Sequence, residues 1–294
     1  MIRRVMSLLV ALGALVAMLV VLPAATAQAA NCNTAWSSSS VYVGGQTASY
    51  NGRNYTAKWW TQNERPGSSD VWADNGACGT GGGGEQPGTG FVVSEAQFNQ
   101  MFPSRNSFYT YSGLTAALSA YPAFANTGST ELKKREAAAF LANVSHETGG
   151  LVYIKEVNEA NYPHYCDTSQ SYGCPAGQAA YYGRGPIQLS WNFNYKAAGD
   201  TLGINLLANP YLVEQNASVA WKTGLWYWNT QNGPGTMTAH NAIVNNRGFG
   251  ETIRSINGSI ECNGGNPAQV QSRINKFTQF TQILGTTTGS NLSC

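Results

Sequence analysis

Residues 79–90 read GTGGGGEQPGTG, seven glycines in twelve positions. Glycine gains the most backbone freedom when unfolded, so such a run behaves as a flexible tether with an r.m.s. reach of about 20 Å. A chain interrupted in this way cannot share one hydrophobic core across the interruption. It folds as a short body before the run and a long one after it. The boundaries that follow are 1–29 for a leader, 30–78 for a small module, 79–90 for the linker and 91–294 for a large domain.

The leader reads as a secretory signal. Arg3 and Arg4 form a charged start, an apolar run extends from Leu8 to Leu22, and Ala27-Gln28-Ala29 offers small residues for cleavage. A membrane anchor is the alternative, but about 15 apolar residues fall short of the roughly 20 that span a bilayer. Without Arg3 and Arg4 the 17 basic side chains become 15, equal to the 15 acidic ones. A neutral chain displaces few counterions, which argues against nucleic acid. With 11% charged and 11% aromatic residues, it suits an uncharged ligand.

Six cysteines in an exported chain imply three disulfides. The linker sets Cys32 and Cys78 apart and pairs them. Cys166, Cys174, Cys262 and Cys294 can join in three ways, the local one being Cys166–Cys174 with Cys262–Cys294. No C-x-x-C occurs and there are three histidines, so no metal site is expected.

The module reads as short strands, with Asn51-Gly52 between TASY and RNYTAKWW as a hairpin turn. It holds four of the eight tryptophans. Trp36 and Trp72 suit its core. Trp59 and Trp60 are adjacent, and neighbouring side chains on a strand face opposite ways, so a thin module does not easily bury both. Exposed, they offer flat faces to sugar rings; the alternative is that both complete a small core.

The large domain reads as mainly helical. Ser94-Glu95-Ala96-Gln97 is a capping box. A second helix covers Thr110 to Tyr121. Ser129 or Thr130 caps a third, ELKKREAAAFLANVSHE, stopped by Gly149-Gly150. Helical spacing recurs from Val213 to Trp228. Asn266-Pro267 opens a last helix with Val270, Ile274, Phe277, Thr281 and Leu284 inward. Between Gly150 and Pro210 the pattern predicts loops and short strands.

The third helix carries Ala137, Phe140, Leu141 and Val144 on one stripe, and the next position on it is Glu147. Burial and the negative end of the helix both favour a protonated acid there. A solvated helix-end glutamate is the plain alternative. Glu156 and Glu159 follow, and spacing does not choose between them. Two carboxylates flanking a glycosidic bond are the usual acid/base set of glycosidases. The stretch YYGRGPIQLSWNFNY, residues 181–195, places Gln188, Ser190, Asn192 and Asn194 among aromatics, a composition suited to hydroxyls and acetamides. HETGG is not a zinc-binding H-E-x-x-H, because Gly150 stands where the second histidine would be.

HETGG with Lys155-Glu156, then YYGRGPIQLSWNFNY, then Ile256-Asn257-Gly258 with Glu261-Cys262, resembles the family 19 glycoside hydrolases, a chitinase family. AKWWTQNERPG resembles a small chitin-binding module. The resemblance implies a lysozyme-like helical domain with a deep cleft and a β-rich, disulfide-closed carbohydrate-binding module. It implies inverting endo-hydrolysis of β-1,4 N-acetylglucosamine polymers. Glu147 matches the general acid, Glu156 the base, and Ser190 a residue that helps hold the attacking water. Gln188, Asn194 and Asn257 match sugar-contacting positions. Arg273 with Glu261 matches the pair that sets the charge around the carboxylates, and Trp59 and Trp60 match the chitin-binding surface. Chitin, N-acetylglucosamine oligosaccharides and the fungal cell wall are the implied partners. No nucleic acid, no membrane after leader removal, no cofactor and a monomeric chain are expected. Two readings rival this one: a related enzyme acting on peptidoglycan, and a chitin-binding lectin with an inactive helical domain.

Overall fold

The computed structural model describes residues 32–34, 36–38, 40–50, 52–78 and 91–294. The leader, the linker 79–90 and Asn51 of the expected turn lie outside the described residues. The chain divides into two compact units, Met1–Glu85 and Gln86–Cys294.

In the first unit, β1 (Val41–Tyr42) pairs antiparallel with β4 (Thr61–Gln62). Strands β2 (Thr47–Tyr50), β3 (Arg53–Ala57) and β5 (Trp72–Ala77) form an antiparallel sheet with β3 in the middle. The β2–β3 hairpin closes with Tyr50 opposite Arg53, and Gly52 takes φ +71, a conformation glycine adopts at no steric cost. Ala48, Tyr55, Ala57, Val71 and Trp72 are buried, with half-buried Trp36, Tyr42 and Tyr50 packed beside them. Trp72 donates its indole N–H to the Glu64 carbonyl at 2.9 Å. So few residues make a thin core, and the Cys32–Cys78 disulfide joins its two ends.

The second unit is helical. Its helices are α1 (Glu95–Met101), α2 (Tyr111–Ala117), α3 (Thr130–Glu147), α4 (Asn192–Leu202), α5 (Leu212–Gln215), α6 (Ala217–Thr230), α7 (Ala239–Val244), α8 (Phe249–Glu261) and α9 (Pro267–Leu284). Local signals start six of them, those of α1, α3 and α9 being the ones the sequence marked. Ser94 and Gln97 complete the capping box of α1, Ser129 caps α3, and Asn266 caps α9 ahead of Pro267.

Helix α3 is the axis of the domain. Every residue from Glu136 to Ser145 is buried, not a single stripe. Alanine at 137, 138, 139 and 142 lets neighbouring elements approach from all sides, so α9, α7 and α8 surround it. Glu136 is therefore fully buried, and three donors satisfy it. Trp228 Nε1 and the Ala125 N–H lie at 3.0 and 2.9 Å, and His240 Nδ1 at 2.6 Å. Phe98, Phe102, Phe140, Trp221, Trp228, Phe249 and Phe277 fill this core. A second cluster, with Tyr181, Tyr195, Leu206, Val213 and Trp226, lies under the 181–195 segment.

The structure departs from the periodic pattern in three places. The spacing from Val213 to Trp228 spans two helices, because Asn216 is extended (φ −127, ψ 110) and caps α6 instead of continuing α5. Residues 150–210 hold 3-10 turns at Glu159–Tyr165 and Gln178–Ala180, then α4; their β-pairing is confined to the isolated bridges Lys155–Arg184 and Arg184–Leu189 among the described residues. Helix α8, which contains Gly250, Asn257 and Gly258, has weak intrinsic propensity. Tertiary contacts hold it: the C-terminal tail accepts from the Gly250 N–H (Asn291 O, 2.9 Å) and the Asn263 N–H (Cys294 O, 3.0 Å). The Cys262–Cys294 disulfide locks that tail, and a Cβ on Gly250 would sit 2.1 Å from the Ser293 carbonyl.

The exit from α3 is a tight turn in which Gly149, Gly150 and Leu151 all have positive φ (61, 84 and 63). For leucine this costs about 1–2 kcal/mol. Its fully buried side chain and the hydroxyl of Thr148 hold it in place. Thr148 Oγ1 donates to the Val144 carbonyl at 2.6 Å and accepts from the Leu151 N–H at 2.7 Å. Thr148→Val strands that buried N–H and is expected to lower unfolding stability by about 1–3 kcal/mol in urea melts, while Thr148→Ser stays near wild type. Equal stability of the valine variant would show that the hydroxyl does not hold the turn.

Candidate active site

Helices α3, α8 and α9 end or pass at one buried cation. Arg273, on α9, has none of its surface exposed. Its Nε and Nη2 donate to both oxygens of buried Glu261 at 2.8 and 2.6 Å, a bidentate pair. Nη2 also donates to Glu147 Oε1 at 2.5 Å, and Nη1 to Asn143 Oδ1 at 3.1 Å. The Asn143 amide nitrogen in turn donates to the Ala139 carbonyl and the Thr252 hydroxyl at 2.9 and 3.1 Å, which aims its oxygen at the arginine. Asn257 sits at a kink inside α8 (φ −142) and gives its amide to Glu261 Oε1 at 2.7 Å.

The electrostatics follow from burial and pairing. Burial alone would raise the Glu261 carboxyl, but the hydrogen bonds and charge of Arg273, with Asn257, leave it below the ordinary carboxylate range. Burial would lower Arg273, and the opposed charges of Glu147 and Glu261 hold it above its ordinary value. His146 is held below its usual value by burial and then by Arg273, which favours the neutral imidazole beside the site. Tyr227 is pushed up to about 12 by burial and then by the Glu147 charge, and its hydroxyl donates to the Ser255 carbonyl at 3.1 Å. Glu147 keeps 19% of its side chain exposed, the open carboxylate of this network.

Glu156 stands in a different environment, one of neutral donors. Its Oε1 accepts from Asn161 Nδ2 at 2.7 Å and from the Tyr165 hydroxyl at 3.1 Å. Its backbone carbonyl accepts from Tyr162 at 2.9 Å, and its N–H donates to Gly183 at 2.8 Å. Oε2 is buried and has no protein partner among the described residues. Tyr165, pushed up to about 12 by burial and then by its bond to Glu156, stays a donor. Glu159 is 73% exposed and pairs with Lys155 at 3.5 Å.

The 181–195 segment joins Glu156 through the Gly183 bond and the bridge pairs of Arg184. Gln188 lies on its turn at φ 51 and donates Nε2 to the Gly185 carbonyl at 2.9 Å. Ser190 is half-buried, and Asn194 donates to its carbonyl at 3.0 Å. Asn192 is fully buried instead. Its amide ties Asp167 and Gly173, bracing the loop closed by Cys166–Cys174, so it is a structural residue. No sequence motif singles out Asn143, Asn161, Tyr165 or Tyr227. Only Asn143 leaves a signal in the sequence, as a polar residue one helical turn before Glu147.

In the first unit, Trp59 and Trp60 follow the last ladder bond, Lys58 N–H to the Val71 carbonyl at 2.8 Å. Strand alternation ends there, and the two rings are 55% and 60% exposed. They share neither the module's core nor its sheet.

Residues 92–294 match the family described as chitinase class I, glycoside hydrolase family 19, and residues 35–73 match carbohydrate-binding module family 5/12. Endochitinase A of Zea mays is 46% identical over 210 residues, covering 69% of this chain and 71% of that one. The crystal structure of chitinase C from Streptomyces griseus HUT6037 is 86% identical, with a TM-score of 0.69 over 90% of this chain and 100% of that one. A family 19, class IV chitinase from Zea mays is 45% identical, with a TM-score of 0.61 over 69% of this chain and 98% of that one. The chain belongs to the class I chitinases, glycoside hydrolase family 19, and joins such a domain to a family 5/12 carbohydrate-binding module.

Proposed function

We propose that this protein is a secreted endochitinase that cuts β-1,4 linkages between N-acetylglucosamine units in one inverting displacement. The observation that carries the reading is the contrast between its two held carboxylates. Glu147 faces a buried cation, and Glu156 faces neutral donors, its second oxygen having no partner among the described residues. Two carboxylates in unlike surroundings are what acid and base roles require. Glu147 gives its proton to the glycosidic oxygen as the bond to the anomeric carbon breaks. Arg273 already donates to Glu147, so the carboxylate that forms meets its partner without rearrangement. Glu261 pairs with the same guanidinium, so the cation is shared between two acids.

A water hydrogen-bonded to Glu156 Oε2, with the Ser190 hydroxyl as second partner, is the nucleophile. A buried carboxylate oxygen without a protein donor supports a water there. Glu156 takes its proton as the oxygen attacks the face opposite the leaving sugar, which inverts the anomeric centre. Gln188, Asn194 and Asn257 offer amides to the sugar acetamides and hydroxyls. Trp59 and Trp60 hold the enzyme on insoluble chitin through apolar contact with ring C–H faces, which needs no net charge. The leader's pattern and three disulfides support export, where such bonds persist. The enzyme works as a monomer, with fungal cell wall as one target.

Proton NMR of fresh products from an N-acetylglucosamine hexamer is expected to show the α-anomer first. Initial β-anomer would remove the base role from Glu156. Glu147→Gln is expected to lower kcat by about 10²–10⁴-fold, measured as reducing-sugar release. Sugar release equal to wild type would end the acid assignment, and cleavage of peptidoglycan but not chitin would change the substrate. The Trp59→Ala/Trp60→Ala variant is expected to lose pull-down on insoluble chitin while keeping its rate on the soluble hexamer. Undiminished pull-down would defeat the surface reading.

A further inference from the structure

Outside the Arg273 network, the buried cation Arg184 also has none of its surface exposed. Its backbone bridges to Lys155, next to Glu156, and to Leu189, next to Ser190. The Arg184 and Leu189 N–H groups donate to each other's carbonyls at 3.1 and 2.9 Å, and the Gly185 N–H donates to Ile154 at 2.7 Å. The segments that carry the base and its serine are therefore stitched at this residue.

The side chain continues the link. Nε donates to Glu214 Oε2 on α5 at 3.0 Å, and Nη1 donates to the Ala180 carbonyl at 2.7 Å and the Tyr195 hydroxyl at 2.8 Å. The guanidinium carbon lies 3.5 Å from the centre of the Tyr182 ring. Tyr182 stacks on Tyr162 with centres 3.5 Å apart and planes at 12°. The Tyr162 hydroxyl then donates to the backbone carbonyl of Glu156 at 2.9 Å. Asn161, beside Tyr162, and Tyr165, three residues on, hold the Glu156 carboxylate.

We infer that Arg184 is a positioning residue of the reaction, acting through the Tyr182–Tyr162 stack to hold Glu156 where the attacking water needs it. This rests on Glu156 being the base. A buried ion pair adds little to stability over a well-packed apolar substitute, so its presence at this crossing fits a positional task. Arginine is the suited cation, because its planar fork serves acceptors at its edge while its face stacks on a ring. Lysine keeps the charge and loses both.

The full chain carrying Arg184→Lys, Tyr162→Leu, Glu156→Gln and the pairwise combinations with Glu156→Gln tests this on the soluble hexamer. Calorimetry with an N-acetylglucosamine tetramer counts competent sites. Arg184→Lys is expected to lower kcat on the order of 10²-fold and Tyr162→Leu about tenfold, with KM and site count retained. Neither is expected to lower the residual rate of Glu156→Gln by more than about twofold, because the positioned group is already removed. The inference is overturned if either single variant keeps kcat within about threefold, if lost turnover tracks lost sites, or if the Glu156→Gln residual falls as steeply as the wild-type rate. Should Arg184→Lys fail to fold, Tyr162→Leu leaves the buried pair intact and decides alone. Glu156→Gln turning over like wild type would sink the base assignment itself, and the positioning role with it.

Discussion

The guanidinium of Arg273 is the interaction on which the catalytic domain depends. Taking an ion out of water costs several kcal/mol even after relaxation, and only good geometry offsets that. Here three nitrogens find four acceptor oxygens, on Glu261, Glu147 and Asn143. Those acceptors sit on α3 and at the end of α8, while the cation sits on α9. The three helices must therefore converge to within hydrogen-bond reach. The alanine-rich surface of α3, the packing of α9 along it and the tail disulfided beside Glu261 all serve that convergence. Removing one partner would leave a buried charge unmatched, so the network is held as a whole.

The carboxylate of Glu156 is held by other means. Glu156 lies on irregular chain, and among the described residues no cation pairs with it. An amide and a hydroxyl hold one oxygen, and backbone bonds fix the segment. The turn at Gly149–Leu151 precedes the segment, and the Tyr162–Tyr182–Arg184 stack follows it. The domain thus presents one acid organised by an ion pair and one organised by neutral groups. Unequal surroundings for two chemically identical groups are what the proposed division into acid and base rests on.

The module solves a smaller problem with fewer means. A thin sheet cannot bury four tryptophans. Trp72 fills the core, Trp36 packs half-buried beside Tyr50, and Trp59 and Trp60 stay outside it. The disulfide supplies the closure that a core of this size cannot.

Short-range physics made much of this legible in advance. The capping box at Ser94 and the Asn266-Pro267 start are set within four residues, so sequence alone determines them, while the choice of Ser129 over Thr130 as the cap of α3 came from the structure. The 3.6-residue period placed Glu147 on the buried line of α3, while Arg273 was marked by the family resemblance. Local patterns could not find α8, whose glycines and asparagine oppose a helix until the C-terminal tail braces it, nor α4, which starts after Trp191 at φ 76. They could not separate Glu156 from Glu159, because both are polar residues in irregular chain. Tertiary structure separates them, holding one against Asn161 and Tyr165 and leaving the other 73% exposed. The sequence by itself determined where capped helices such as α1 and α9 begin and which residues form part of their inward faces, since those depend on neighbours along the chain. Which acids meet the cation and which meet neutral donors was decided only by packing, because burial and partner distance depend on residues far away in sequence.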